Sequence, residues 1–263
     1  MIDLNQKVSE VVQITKHIGY YIFEEAQKFS HEKIEFKGKN DLVSYVDKEA
    51  EKKFVNNLHD ILPEAGFIAE EGTSTKKGER YNWVIDPVDG TTNFTHGLPI
   101  YSSSIALMEG EEVLLGVVND ITKDQCYFAT RDSKAYRDGD EINVSPVKDL
   151  NMGLIATGYP YSAIDKLPVF FEIFNELMRD THGVRRLGSA ALDLVYVACG
   201  YFEGFFEFKL SPWDMAAGAL IVERAGGKVT DFKGGDNVIF GQQIVAGCAV
   251  QPQLLEIVSK HWH

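Results

Sequence analysis

Two aspartates, Asp86 and Asp89, stand three residues apart at the end of an apolar run, Trp83-Val84-Ile85, and Gly90, Thr91, Thr92, Asn93 and Phe94 follow them. Pro87 and Gly90 supply a turn, so the two carboxylates can converge on one point, and the backbone carbonyl of Val88 between them can face it too. Thr91 adds a hydroxyl. Carboxylates gathered at the end of a buried strand repel one another and lose hydration. A hard divalent cation, which takes oxygen ligands, is the simplest way to hold them there. Magnesium binds through a few carboxylates plus a substrate phosphate, so the motif points to metal-assisted hydrolysis of a phosphate ester. Taken alone, the same residues also suit a strand-end turn with solvated aspartates.

Other acids gain meaning only beside this pair. Glu70-Glu71-Gly72 follows a short apolar run, where a solvated loop is the ordinary explanation. Asp214, next to Trp213, stands where a helix begins, and an aspartate there complements the dipole and caps open amides. Asp41 and Asp47 flank a short apolar stretch and can cap as well. Gly188-Ser189-Ala190-Ala191 opens a helix, offering either backbone amides to an anion or an ordinary serine cap. Arg185-Arg186 can attract phosphate or serve as surface charge. None of the seven histidines falls in a serine or cysteine nucleophile motif, which disfavours covalent catalysis.

The elements that must carry these residues follow from periodicity. Leu4, Val8, Val11, Val12, Ile18, Ile22, Phe23 and Ala26 recur at helical spacing, predicting a long amphipathic N-terminal helix. Residues 36–40 are polar and contain Gly38, predicting a loop. Asp47 then caps a second helix carrying Ala50, Phe54, Leu58 and Ile61, which ends by Pro63 and Gly66. A short strand at 67–69 delivers Glu70 and Glu71. A second, at 81–85, delivers Asp86 and stops there. Strands follow at 103–108, 113–118 and 125–129, with a turn at 137–140. Beyond 145–151 the pattern alternates: strands at 153–157, 201–208, 228–231 and 244–247, and helices at 167–178, 189–199, 213–225 and 251–261. This predicts an α/β (mixed α+β) fold in two sheet-containing halves. The first, 1–147, holds most of the candidate metal ligands; the second, 148–263, holds Asp214 and the substrate pocket.

The chain has 263 residues, 44% hydrophobic and 25% charged, the composition of an ordinary globular protein with a substantial core. A net charge of −13 argues against direct nucleic-acid binding, which needs a basic surface, but not against an anionic substrate neutralised by metal. Cys126, Cys199 and Cys248 are sparse and widely spaced, as in a reducing compartment. The N-terminal residues have no signal-peptide pattern, and no apolar run is long enough for a bilayer span, so a cytoplasmic protein is expected.

Four motifs together carry a resemblance. Glu70-Glu71, Asp86-Pro87-Val88-Asp89-Gly90-Thr91-Thr92-Asn93-Phe94, Gly188-Ser189-Ala190-Ala191 and Trp213-Asp214-Met215-Ala216-Ala217-Gly218 occur in the order and rough spacing of the inositol monophosphatase family. Capping accounts for one such motif but not for four in sequence. The similarity runs from about Asp41 to Gly227. It implies a layered αβαβα sandwich of the sugar phosphatase type, commonly a homodimer, with magnesium-dependent, lithium-sensitive phosphomonoesterase activity.

Carried over by position, the resemblance implies up to three magnesium ions. Glu70, Asp86, the Val88 carbonyl and Thr91 would surround one, and Asp86, Asp89 and Asp214 a second; Glu70 would also touch a third. Asp47 and Thr91 would orient the attacking water. The Gly90 and Thr91 amides would take phosphate, Gly188, Ser189 and Ala190 would line the polyol pocket, and Glu207 and Asp214 would contact the substrate. Gly72 departs from the family, where many relatives have serine, without affecting the ligands. The substrate is expected to be inositol monophosphate or a similar small sugar phosphate. Alternatives are fructose 1,6-bisphosphate, a 3′-phosphonucleotide or NADP, with the loop at 33–40 and the pocket around 165–186 deciding among them. A regulatory binding protein of the transcription machinery is an alternative of a different class.

Overall fold

The computed structural model of the chain describes residues 2–28, 34–38, 41–159 and 163–262. In chain order the elements begin with α1 (Leu4–Ala26), β1 (Ile34–Gly38), β2 (Asp41–Ser44), α2 (Tyr45–Ile61), β3 (Gly66–Ala69), β4 (Tyr81–Asp89) and α3 (Thr91–Thr95). The strands β5 (Ser102–Glu109), β6 (Glu112–Asp120), β7 (Gln125–Thr130), β8 (Tyr136–Arg137) and β9 (Asp140–Glu141) complete the first half. The second half comprises β10 (Leu154–Thr157), α4 (Leu167–Asp180), β11 (Gly183–Arg185), α5 (Ala190–Ala198), β12 (Gly204–Phe208), α6 (Pro212–Arg224), β13 (Lys228–Thr230), β14 (Gln243–Gly247) and α7 (Gln251–His261).

Strands β3 to β9 form one sheet in sequence order, with β3 parallel to β4 and the later pairs antiparallel. A second sheet has the order β11-β10-β12-β14-β13 and mixes parallel with antiparallel pairs. The period of two along each strand sends alternate side chains to opposite faces, and this builds the layers. Trp83, Ile85, Ile105, Leu107 and Val117 pack on one face of the large sheet with Val11, Ile18, Phe54 and Leu58 of α1 and α2. Val84, Ala106, Met108 and Val118 face the other way, against α5 and α6. The same middle helices meet Phe205, Ile244 and Ala246 of the second sheet. The far face of that sheet, with Phe206, Phe208 and Val245, is covered by Phe170, Ile173 and Leu177 of α4 and by Leu254 and Val258 of α7. The result is the expected αβαβα sandwich, with α5 and α6 enclosed between two sheets.

Two sequence expectations are corrected. The 36–40 stretch is not simply a loop: β1 pairs antiparallel with β2, with a register shift between Phe36 and Gly38. Composition alone does not reveal such pairing between neighbouring segments. Lys33, Lys39 and Asn40, and the side chain of Asp41, lie outside the described residues. Nor does β4 stop at Ile85. It continues through the motif, slips register between Asp86 and Asp89, and pairs again where Asp89 faces Ser102. Such an irregularity bends a strand locally and re-aims its side chains.

A carboxylate-lined candidate active site

The end of β4 and the first turns of α2, α3, α5 and α6 meet at one place. The bulge in β4 leaves the Val88 amide donating to Asp86 Oδ1 at 3.0 Å. Gly90 takes φ +99° to start α3, a left-handed conformation in which a Cβ would also stand 3.0 Å from the Ile100 carbonyl oxygen. Thr91 opens α3. Its Oγ1 lies 3.0 Å from Asp47 Oδ1 and 3.0 Å from the Val88 carbonyl oxygen, and its one proton can go to either. Asp47 is the third residue of α2 rather than its cap, because the helix already begins at Tyr45, and it is fully buried.

Asp89 faces the N-terminus of α5. Its Oδ2 accepts from Ser189 Oγ at 2.6 Å and from the Ala191 amide at 2.7 Å. Ser189 is also the cap of α5, accepting from the Leu192 amide, so one hydroxyl serves both the helix and the acid. Asp214 sits in the first turn of α6, where its Oδ2 accepts from the Ser211 amide at 2.6 Å. The capping explanation for both motifs is therefore correct and incomplete: each capping residue also faces the carboxylate cluster.

Asp86, Asp89 and Asp214 each offer one carboxylate oxygen within 4.8 Å of the others. Burial raises the Asp86 pKa well above the usual carboxylate range, and neighbouring Glu70, Asp89 and Asp214 push in the same direction. Asp214 is pushed up to about 7 by burial and by Asp89. Burial also raises Asp89, opposed by its bonds from Ser189 and Ala191 and by Arg186. Three carboxylate oxygens gathered this closely in a buried place are the donor chemistry that a hard divalent cation takes. The Thr91 hydroxyl, 3.0 Å from both the Val88 carbonyl oxygen and Asp47, adds a further oxygen just past the end of β4.

Beside the cluster lies a cavity of about 120 Å³, lined by Asp89, Gly158, Arg186, Gly188, Ser189, Ala190, Asp193, Glu207, Leu210 and Asp214. It gathers the Gly188–Ala190 segment, Glu207 and Asp214, all singled out from the sequence. Glu207 lies opposite Phe206 and Phe208 by alternation, but that face looks into the middle helical layer and not into solvent. A Cβ on Gly158 would fall 1.8 Å from Glu207 Oε1, so any larger residue there would displace this carboxylate. Burial, then Asp214, pushes the Glu207 pKa up to about 8.

Two contributors, Glu51 and Asp193, escaped the sequence reading, and the arginine pair, read there as phosphate-attracting or surface charge, divides. Arg186 is half-buried and lines the cavity, whereas Arg185 is the exposed member of the pair. Glu51, fully buried on α2, accepts from the Glu71 amide at 2.6 Å and the Thr73 amide at 2.7 Å, and so ties down the segment that carries Glu70. Its signal was its spacing from Asp47 and Phe54, which puts an acid on the apolar face of a helix. Asp193 stands in α5, whose every residue is buried. An acid in such a run was the available clue.

Residues 4–263 match the inositol monophosphatase family, and the chain belongs to it. It is 39% identical over 241 residues to the Nus factor SuhB of Pseudomonas aeruginosa, covering 90% of this chain and 89% of the relative. Among solved structures it resembles the extragenic suppressor protein suhB of Bartonella henselae at 34% identity and TM-score 0.92, covering 97% of this chain and 99% of that one. It also resembles an IMPase of Thermotoga maritima at 31% identity and TM-score 0.89, covering 97% and 98%.

Proposed function

We propose that this member of the inositol monophosphatase family is a magnesium-dependent phosphomonoesterase for inositol monophosphate or a similar small polyol phosphate. The observation that carries the reading is the convergence of Asp86, Asp89 and Asp214, with ligand oxygens within 4.8 Å, beside a small polar cavity that Asp89 and Asp214 line. Glu70, Asp86, the Val88 carbonyl, Asp89, Thr91 and Asp214 are the residues proposed to hold up to three magnesium ions. When bound, magnesium supplies the positive charge that lets a nucleophile approach a phosphomonoester dianion, and it acidifies water.

The chain's own residues then have separate tasks. Thr91 accepts from the attacking water and donates to Asp47, whose buried carboxylate lies 3.0 Å from its hydroxyl, so a proton can move from water toward Asp47. Glu70 contributes negative charge on the same side. The Gly90 and Thr91 amides receive the phosphate oxygens at the start of α3. Gly188, Ser189 and Ala190 shape the pocket for the leaving group, and Glu207 accepts from one of its hydroxyls. No phosphoenzyme is needed, because water is the nucleophile.

The cavity bears Asp193 and Glu207 in addition to the metal-facing acids, with Arg186 as its cation. That balance suits an uncharged, hydroxyl-rich leaving group better than one carrying a second phosphate, as in fructose 1,6-bisphosphate, a 3′-phosphonucleotide or NADP. Phosphate release from a panel of these esters with magnesium tests the assignment. Selective turnover of inositol phosphates is expected; no release from any ester would sink the phosphatase reading.

The enzyme is cytoplasmic in this reading, in keeping with three free cysteines, and a homodimer of chains whose halves, 1–147 and 148–263, jointly form the site. Exposed Ile164, Phe171 and Met178 stand seven residues apart along α4 and the turn before it, forming an apolar stripe suited to a second copy. A second reading, a regulatory protein of the transcription machinery, draws on the name of the Pseudomonas relative. With a net charge of −13 such a role would run through protein contacts. Loss of that role in an Asp89→Asn variant would tie it to the chemistry; retention would separate the two.

A further inference from the structure

We infer that Asp193 is a specificity-determining residue, accepting a hydrogen bond from a second hydroxyl of an uncharged polyol leaving group, apart from the hydroxyl taken by Glu207. The inference rests on the phosphatase reading above for its substrate. The observation is one of hydrogen-bond satisfaction. Asp193 is 1% exposed, in a helix packed between two sheets. Its Oδ1 is buried and has no hydrogen-bond partner. The neighbouring acids differ: Asp86 accepts from the Val88 amide, Asp89 from Ser189 and Ala191, and Asp214 from the Ser211 amide. A buried carboxylate oxygen left unmatched is costly, and native folds rarely keep one without a use. Asp193 lines the cavity that also holds Glu207.

The geometry also says what Asp193 is not. It lies outside the group of three acids whose oxygens fall within 4.8 Å of one another, so it is not a further member of that cluster. It stands among other acids, Asp89 and Glu207, with Arg186 the cation that acts on all three. A second anionic group on the substrate would meet these carboxylates, whereas a hydroxyl can donate to Asp193 without bringing charge. Glu207 and Asp193 come from different elements, β12 and α5, so they meet the leaving group from two directions. Two such acceptors would discriminate among polyols by hydroxyl placement, which a single acceptor does poorly.

The test compares Asp193→Ala and Asp193→Asn with wild type on myo-inositol 1-phosphate and on para-nitrophenyl phosphate, whose leaving group has no ring hydroxyl. Asp193→Ala is expected to lower kcat/KM for the inositol ester by about tenfold or more while changing the nitrophenyl ester by less than about twofold. Asp193→Asn, which keeps an acceptor oxygen in place, should recover most of the loss. Its melting temperature without metal should not fall, because the substitution keeps the shape and removes one acid from a buried, crowded set that includes Asp89 and Glu207. Equal losses on both esters, no loss on either, or a lower melting temperature for Asp193→Asn would overturn the inference. Binding of myo-inositol 1-phosphate, measured by calorimetry with calcium replacing magnesium, separates the two readings. If wild type binds it but hydrolyses neither ester, the phosphatase reading fails and the change in Kd of Asp193→Ala still decides the role of Asp193. If wild type neither binds nor hydrolyses it, both readings fail.

Discussion

Asp89 stands in two relations at once: its Oδ2 takes bonds from Ser189 and Ala191, and it faces Asp86 and Asp214. The first fixes the carboxylate so that the second has a defined geometry. Asp89→Asn keeps the shape and an acceptor but loses the charge. Its kcat/KM should fall by more than the roughly 100-fold typical of an outer-shell partner, with the circular dichroism spectrum unchanged. Loss of activity only through unfolding would count against the assignment. Thr91→Ala should lower kcat far more than it raises KM, since its hydroxyl, 3.0 Å from Asp47, is assigned to the attacking water. Steady-state kinetics that showed raised KM with kcat intact would instead make Thr91 a ground-state phosphate contact. At this scale the sequence was most legible where unlike residues crowd together, as at Asp86 to Thr91. It was least legible at Asp193 and Arg186, whose meaning comes from a cavity assembled by segments far apart in the chain.

Elements carry these residues to the site through their ends. The N-termini of α3, α5 and α6 supply amides, caps and acids, while β4 supplies a bulge that turns two aspartates toward one another. The layers could be read from alternation along the strands, since Val84 and its neighbours Trp83 and Ile85 reach opposite cores. The β4 bulge could not, because pairing resumes only through Ser102 on a neighbouring strand. The β1–β2 pair likewise depends on pairing between segments, which a polar composition does not reveal. Glu51 makes the dependence of site on element testable. Its carboxylate holds the Glu71 and Thr73 amides at 2.6 and 2.7 Å, bonds to a charged acceptor worth about 1.5–3 kcal/mol each. Glu51→Ala should therefore destabilise the protein in denaturant titrations and speed hydrogen exchange at those two amides. Because Glu70 lies beside them, magnesium affinity should fall about tenfold. Unchanged exchange at Glu71 and Thr73 would show that the segment is held by other means.

At the scale of the molecule, three hydrophobic cores stacked through shared sheets place a concentration of buried acids near the middle layer. This arrangement sets how stability responds to pH and metal. In the folded chain the pKa of Asp214 is about 7 and that of Glu207 about 8, and Asp86 and Asp89 are raised as well. In the unfolded chain such groups titrate near 4. Between those limits the native state binds more protons than the unfolded state, so the slope of unfolding free energy against pH is negative. The stabilising contribution of these protons is complete below about pH 4 and is lost as pH rises through the folded values, about 7 to 8. Magnesium acts in the opposite sense. It binds the deprotonated acids only where folding brings them together, so its stabilisation should grow with pH, reaching about 2.7 kcal/mol at a hundredfold excess over Kd. Thermal melts from pH 5.5 to 8.5 are the measurement. The metal-free melting temperature should decline across that range, and added magnesium should close the gap, most strongly at the alkaline end. A double Asp86→Asn, Asp214→Asn variant should show a shallower decline and little response to magnesium. If wild type and variant gave the same pH profile and the same magnesium shift, these acids would be no more than buried helix and strand termini, and the metal site would have to be sought elsewhere in the fold.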